Sequence, residues 1–463
     1  MLTAPRRVRE VLPRMPGGAR RPLVAVVTAM LLSLCLLASD VDDLDGPGVG
    51  GAAGADTDGG AAGADTDGRA AGPPSTRRPT PAPPAPSPPV SPTRAPVVPG
   101  PAPRPDTPDR PDGSEHATTL TVVAAGDLFV PPRLTAQAAA DAAAAGRDGH
   151  DFTRILAAVR PVVRAADLAI CHLEQPLAEP DGPFPDYPFF AAPPQLADAV
   201  ADLGFDTCST ASNHSLDGGV EGVVRTLDHL DRVGVAHTGT ARHPREAATL
   251  NVVTVKGVRV AHLSYTFSFN GIPLPEGRPW MANLIDPAAI RAEARRARNA
   301  GAEIVIVSMH WGTEYQSAPD IGQLGLAREL LAAPEIDLII GHHAHVVQPL
   351  ERLGGKWVAY GLGNLTCRFP DGSHERTQDS VLPRFTFTRT ASGRWEVTDV
   401  EVVAAWMEYT PAARVVNLPR ALADRQVRGE QRARYGRALA RITAAVTQRG
   451  AGDAGLRMVP VSG

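Results

Sequence analysis

IDLIIGHHAH, residues 336–345, is a run of branched apolar residues that stops abruptly at three histidines within four positions. A short, almost wholly apolar run is what a strand covered on both faces requires. The same grammar recurs in both directions along the chain. TTLTVVAAGD (118–127) ends on Gly126-Asp127, DLAICHLE (167–174) on His172 and Glu174, FDTCSTASNH (205–214) on Asn213-His214, and IVIVSMHWG (304–312) passes His310 as it ends. Helical patterns near 152–165, 194–203, 219–233 and 321–333 separate these runs, which is the βαβα order of an α/β fold. A hairpin around Lys256-Gly257 (LNVVTVKGVRVAHLSY, 250–265) interrupts the order and KWVAYGLGN (356–364) restores it. Two last β runs, PRFTFTRT (383–390) and RWEVTDVEVVAAW (394–406), suggest a second sheet closing beside the first, and a basic, Ala-rich helical stretch from 418 to 449 is expected to pack peripherally.

In α/β sheets ligands bind at the carboxyl ends of the strands. The polar clusters that end these runs are far apart in sequence and are expected to converge there. Carboxylate, amide oxygen and imidazole together are the ligand types of a borderline transition cation such as Mn, Fe or Zn. Taken singly, each has a plainer explanation: Asp127 as a cap or turn residue, Asn213-His214 as a turn with a surface histidine, His310 as a satisfied core imidazole. Three imidazoles directly after IDLII are harder to explain that way, because each needs a partner. The coincidence of five such strand ends is the argument for a metal site.

The termini carry a different message. Arg6, Arg7, Arg9, Arg14, Arg20 and Arg21 precede an apolar, uncharged stretch from Leu23 to Ala38, the pattern of an export signal. That stretch is shorter than the roughly 20 residues of a spanning helix, so residues 1–39 are read as a signal peptide or a membrane anchor. From 40 to 117 the chain is Gly- and Pro-rich, with GAAGADTDG at 51–59 repeated at 60–68. It lacks the apolar periodicity needed to offset ordering entropy and reads as a disordered, extended stalk. The expected location is the exported cell surface, anchored or secreted. A net charge of -4 leaves no general basic footprint, so nucleic acid is not an expected partner. Cys171, Cys208 and Cys367 are widely spaced and odd in number, give no disulfide framework, and are expected to be buried small hydrophobes.

GD (126–127), HLE (172–174), ASNHSLDGG (211–219), HWGTEY (310–315), GHHAHVVQPLE (341–351) and YGLGN (360–364) resemble the serial motifs of the bacterial capsule-synthesis CapA family. The likeness covers roughly 118–405. It implies a layered α/β/β/α sandwich, similar to the calcineurin-like metallophosphoesterases, spanning 118–410 ahead of a basic helical tail at 411–463. It also implies a dinuclear metal centre at the strand ends and a process, the making or export of poly-gamma-glutamate.

Carried over motif by motif, Asp127 and His345 bind one cation, Glu174 bridges, and Asn213, His310 and His343 bind the second. His214 serves as catalytic proton donor or oxyanion partner. His172, His342, Trp311 and Glu314 are the candidates for lining the substrate pocket, with ligation and support of the ligands equal options for His342. Tyr187 to Pro194 is a candidate loop over the site, and Arg368 a candidate partner of an anionic substrate. Two departures stand out. Phe129 occupies the place where the wider superfamily carries a histidine ligand, and His172 stands where relatives usually read Asn, on the same strand face as Glu174, where it is a candidate to replace the missing imidazole. The expected function is a surface metal-dependent hydrolase acting on a phosphoester or anionic polymer, with synthesis or export proteins as partners. The alternative is a non-catalytic scaffold that binds through the same pocket.

Overall fold

A computed structural model describes residues 117–366 and 375–461. The expected export segment, nearly all of the stalk, Cys367 and Arg368 lie outside the described residues. The strands are β1 (Thr119–Leu128), β2 (Leu168–Leu173), β3 (Thr207–Ser209), β4 (Ala236–Thr238), β5 (Val252–Val255), β6 (Val258–Thr266), β7 (Ile304–His310) and β8 (Leu338–His342). They continue with β9 (Leu350–Leu353), β10 (Lys356–Ala359), β11 (Asn364–Thr366), β12 (Asp379–Arg389), β13 (Trp395–Glu408), β14 (Arg414–Asn417) and β15 (Leu456–Met458).

Among the described residues these form two sheets. One runs β14-β13-β12-β1-β2-β3-β4, with β11 beside β1 and β15 beside β13; the other runs β5-β6-β7-β8-β10-β9. The sheets face each other across an apolar layer that includes Leu120, Val122, Ile170, Val260, Ile306 and Ile340. Helices cover the outside of each. Residues 195–203 and 219–232 pack on the first sheet through Val200, Leu203, Val223 and Leu227, and residues 287–299 and 321–332 on the second through Ile290, Ala294, Ala327 and Leu330. This is the expected layered α/β/β/α sandwich. Strands β1, β7 and β8 are buried along nearly their whole length, which is why they read as unbroken apolar runs.

Local chemistry sets the connections. Lys256 and Gly257 both take positive φ, 49° and 79°, the pair of left-handed residues that a two-residue hairpin turn needs. Asp320 and Gln323 form a reciprocal capping box at the start of the 321–332 helix. At Gly126 a side chain is impossible: a Cβ there would meet the Gly363 carbonyl oxygen at 2.1 Å. That close approach lets the Asp127 N–H donate to the Gly363 oxygen at 2.9 Å and pins Asp127 at the strand end.

Three expectations are corrected. The late strands β12 and β13 do not build the second sheet; β12 pairs antiparallel with β1 and extends the first, and the second sheet is built from β5 to β10. The residues beyond 410 are no peripheral tail. Strands β14 and β15 both pair with β13, and helix 429–447 buries Tyr435, Ala438, Ile442 and Val446 in the inter-sheet layer. Cys171 and Cys208 are joined as a disulfide, because parallel pairing of β2 and β3 places them directly opposite, with Cα atoms 4.5 Å apart. Sequence separation hid that juxtaposition.

Candidate functional site

Strands β1, β2 and β3 are parallel within the first sheet, and β6, β7 and β8 within the second. Asp127 is in register with His172 on one side and Asn364 on the other, and His310 with His342. Both sheets therefore deliver their polar strand ends to one edge of the sandwich.

Asp127, 1% exposed, anchors the cluster. Its Oδ1 lies 2.8 Å from His342 Nδ1, and its Oδ2 accepts the backbone N–H of His343 at 3.1 Å. The His342 ring stacks on His172, centroids 4.0 Å apart. His343 and His345 both hold left-handed backbone, φ 85° and 55°, a conformation that costs on the order of 1–3 kcal/mol per residue and persists where surroundings enforce it. The reward is aim. His345 Nδ1 sits 2.8 Å from Asn364 Oδ1, and Asn364 Nδ2 donates to the carbonyls of His345 and Thr377, which fixes the amide. His345 Nδ1 therefore carries the proton, and its Nε2 lies 3.5 Å from Glu174 Oε1 and 4.0 Å from Glu314 Oε1.

On the opposite flank, His310 Nε2 lies 2.8 Å from Asn213 Oδ1, and His310 Nδ1 lies 3.0 Å from His172 Nε2. His214 stands beside them with its Nδ1 2.8 Å from Asp217 Oδ2. The Phe190 ring meets His214 edge-on at 4.8 Å, so the 187–194 loop does reach the site. Phe267 lies 4.5 Å from the His343 ring, and Tyr315 6.0 Å from that of His345. Phe129 packs at 4.8 Å from Phe190 and 5.9 Å from His345, in the place the resemblance would give to a histidine.

What is missing points to a cation. Glu174 is fully buried, yet neither of its oxygens has a hydrogen-bond partner among the described residues; His342 Nε2 and His343 Nδ1 are likewise without one. Buried polar atoms left this way cost roughly 1–3 kcal/mol each, and a carboxylate with two orphan imidazole nitrogens is a set that a divalent cation satisfies. Asp127, Glu174 and His345 bring ligand atoms within 4.8 Å of one another, as do Glu314, His343 and His345, and as do Asp127, His172 and His342. The residues fit the group.

Electrostatics separates the two acids. Burial pushes Asp127 up, but the hydrogen bond and charge of His342, with His345 beyond, outweigh it and hold the carboxyl at about 2. Burial drives Glu174 well above the usual range, and the charges of Asp127, Glu314 and Asp217 add to the rise. Burial, seconded by neighbouring imidazoles, holds His172 and His310 well below the normal histidine value and brings His262 and His343 down to about 3.

These shifts set a pH dependence. The four histidines stay neutral in the folded state while the unfolded chain protonates near 6.5, so stability is lost as pH falls below 6.5 and goes on falling toward their folded values. Glu174 opposes them: its raised value removes stability as pH rises above 4.5. Four imidazoles against one carboxyl leave a net uptake of protons on unfolding as pH falls through 6.5. The urea midpoint of the metal-free protein is expected to fall steeply between pH 6.5 and 5; a flat profile would contradict the burial of these rings.

One assignment changes. Trp311 does not line the pocket: it is 2% exposed, its Nε1 donates to the Tyr360 carbonyl at 2.9 Å, and it belongs to the core outside the second sheet. A residue following a strand's inward histidine points to the other face. His172 and His342 are as buried as Asp127 and His310, His172 held by His310 and Ser209 and His342 by Asp127. Glu314 is partly exposed, with Oε1 4.0 Å from His345 Nε2. Asn364, Asp217, Ser209 and Phe267 escaped the sequence reading, although Asn364 closes the YGLGN motif and Asp217 lies within ASNHSLDGG.

Residues 121–368 match the family described as bacterial capsule synthesis protein PGA_cap. The chain is 32% identical over 219 residues to the PGA biosynthesis protein CapA of Bacillus subtilis, covering 46% of this chain and 54% of that one. It is 30% identical over 244 residues to a Mycobacterium tuberculosis protein named "Probable polyglutamine synthesis accessory protein", covering 50% and 63%. The chain spans about half the length of the Bacillus relatives it matches. Among solved structures, a calcineurin-like phosphoesterase of Bacillus subtilis aligns at 14% identity and a TM-score of 0.39, over 70% of this chain and 99% of that one. With its match running through more than half of its length and over every strand end of the site, the chain belongs to the bacterial capsule synthesis PGA_cap family.

Proposed function

We propose that this protein is a metal-dependent hydrolase of a phosphoester or anionic polymer, working in capsule or poly-gamma-glutamate biosynthesis at the cell surface. One observation carries the metal reading: the fully buried, unpartnered Glu174 carboxyl among orphan imidazole nitrogens at the converging strand ends. Glu174, Asn213, His310 and His343 would hold one cation and Asp127, Glu174 and His345 a weaker second. A divalent cation there supplies an activated water and neutralises charge developing on phosphoryl oxygens. The chain does the rest. Asp217 holds His214 by Nδ1, which leaves Nε2 to pass a proton to the leaving oxygen. Phe129, Phe190 and Phe267 exclude bulk water from the imidazoles.

The surface location is supported by the arginine-flanked apolar segment and the stalk, with the N-terminus as the membrane attachment and polymer synthesis or export proteins as partners. No helix of the described residues is long and apolar enough to cross a membrane. Phe129 favours a second reading, in which the protein binds polymer without cleaving it, in keeping with the accessory role named for the mycobacterial relative.

Elemental analysis of the purified protein, together with a phosphodiesterase assay in Mn, decides between them. Metal with turnover supports the hydrolase, metal without turnover the binding role, and neither metal nor turnover removes both metal readings. His343→Ala and Asn213→Ala are each expected to abolish metal retention, read as cation equivalents after gel filtration. Unchanged content in both variants would mean that the ligand set is wrong.

A further inference from the structure

His172 is completely buried between the sheets, and both of its ring nitrogens are engaged: Nε2 with His310 Nδ1 at 3.0 Å and Nδ1 with Ser209 Oγ at 2.8 Å. With the Asn213 amide placed as it is, hydrogen-bond logic orders the protons of this row. Asn213 Nδ2 donates to Asn270 Oδ1 at 3.3 Å, which turns Asn213 Oδ1 toward His310 Nε2. An amide oxygen only accepts, so His310 Nε2 carries the proton and Nδ1 accepts. His172 Nε2 must then donate, and His172 Nδ1 must accept from the Ser209 hydroxyl. Both rings are neutral, as burial dictates.

We propose that His172 is a positioning residue that sets the ring orientation and tautomer of His310, with Ser209 as the reversible end of the row. When a cation takes His310 Nε2, the imidazole proton shifts to Nδ1 and donates to His172 Nε2. The His172 proton shifts to Nδ1 and donates to Ser209 Oγ, and the hydroxyl hydrogen turns to the Cys171 carbonyl, 3.3 Å away. Every nitrogen and oxygen remains paired in both states, and no proton leaves the row. Ligand histidines commonly lean on a carboxylate or carbonyl through their second nitrogen, and these partners only accept. An imidazole backed by a hydroxyl both donates and accepts, so the site stays satisfied with or without its cation. The rings of His172 and His310 lie tilted against each other, centroids 5.0 Å apart.

The cation half of this proposal rests on the metal reading above; the tautomer half does not. Three variants of the full chain test it: His172→Gln, whose amide can donate or accept at similar reach, His172→Leu, which fills the volume and does neither, and Ser209→Ala. In metal-free protein, imidazole 15N NMR is expected to show His310 protonated on Nε2 in the wild type and in His172→Gln. A tautomer mixture is expected in His172→Leu, and a changed His172 signal in Ser209→Ala. Calorimetric titration with Zn is expected to show affinity about 10–100-fold weaker in His172→Leu, with His172→Gln close to wild type.

An unchanged His310 tautomer in His172→Leu overturns the proposal. So does a loss in His172→Gln as large as in His172→Leu, which would make His172 itself a ligand. If the wild type binds no Zn, the metal reading fails while the 15N signals still decide the row. If His172→Leu does not fold, the Gln and Ser209 variants decide it.

Discussion

Glu174→Gln is expected to do two opposite things: to stabilise the metal-free protein at neutral pH by roughly 1–3 kcal/mol and to abolish metal retention. Glu174 has no solvent exposure, no hydrogen bond on either oxygen, and three neighbouring acids that push its carboxyl well above the normal range. Without a cation, the folded state must either hold an uncompensated buried charge or take up a proton that the unfolded chain does not bind near pH 7. An amide removes both costs but leaves its own polar atoms unpartnered, which limits the gain. With a cation the balance reverses, because a carboxylate is a charged oxygen ligand that a neutral amide cannot match. Urea unfolding in chelator, paired with elemental analysis, reads both halves. A variant that is less stable without metal, or that keeps its metal, would show Glu174 to be a structural acid.

The strand ends were legible because two periodicities meet there. A doubly covered strand is apolar throughout, so the first polar residue marks where the chain leaves the core, and five such marks placed Asp127, Glu174, Asn213, His310 and the 342–345 cluster together before any coordinates. Depth could not be read the same way. His172 and His342 carry ligand chemistry, and only the pairing of Asp127 with His172 and of His310 with His342 shows that they stand directly beside those residues in the sheets. Trp311 went wrong by one residue of strand parity. The partners that aim the ligands are spread over several loops: Asn364 lies 19 residues from His345, and Ser209 lies 37 from His172. Spacing carries no trace of such contacts. The placement of β12 beside β1 was hidden for the same reason, since a strand's neighbour is set by tertiary packing, and β12 and β13 would read alike in either sheet.

Phe129→His is expected to change the number of cations held from one to two. The backbone at this position is fixed from both sides, with the Phe129 N–H donating to Thr366 Oγ1 at 3.0 Å and its carbonyl accepting from the same hydroxyl at 2.9 Å. The substitution therefore exchanges a side chain without moving its base. The Phe129 ring lies 5.9 Å from that of His345 and 6.2 Å from that of His214, so an imidazole there faces the corner formed by Asp127, Glu174 and His345. The cost is the edge contact with Phe190 and a buried polar ring without its partner, together roughly 1–3 kcal/mol of metal-free stability; cation binding offsets it by mass action. Elemental analysis should show a second equivalent, and thermal unfolding a larger metal-dependent rise than in the wild type. A stoichiometry that stays at one would place the weakness of that corner elsewhere than at Phe129. If phosphodiester hydrolysis rises together with the second equivalent, Phe129 is what holds the natural protein toward binding, and the chemistry of this site turns on a single aromatic ring standing where a ligand could be.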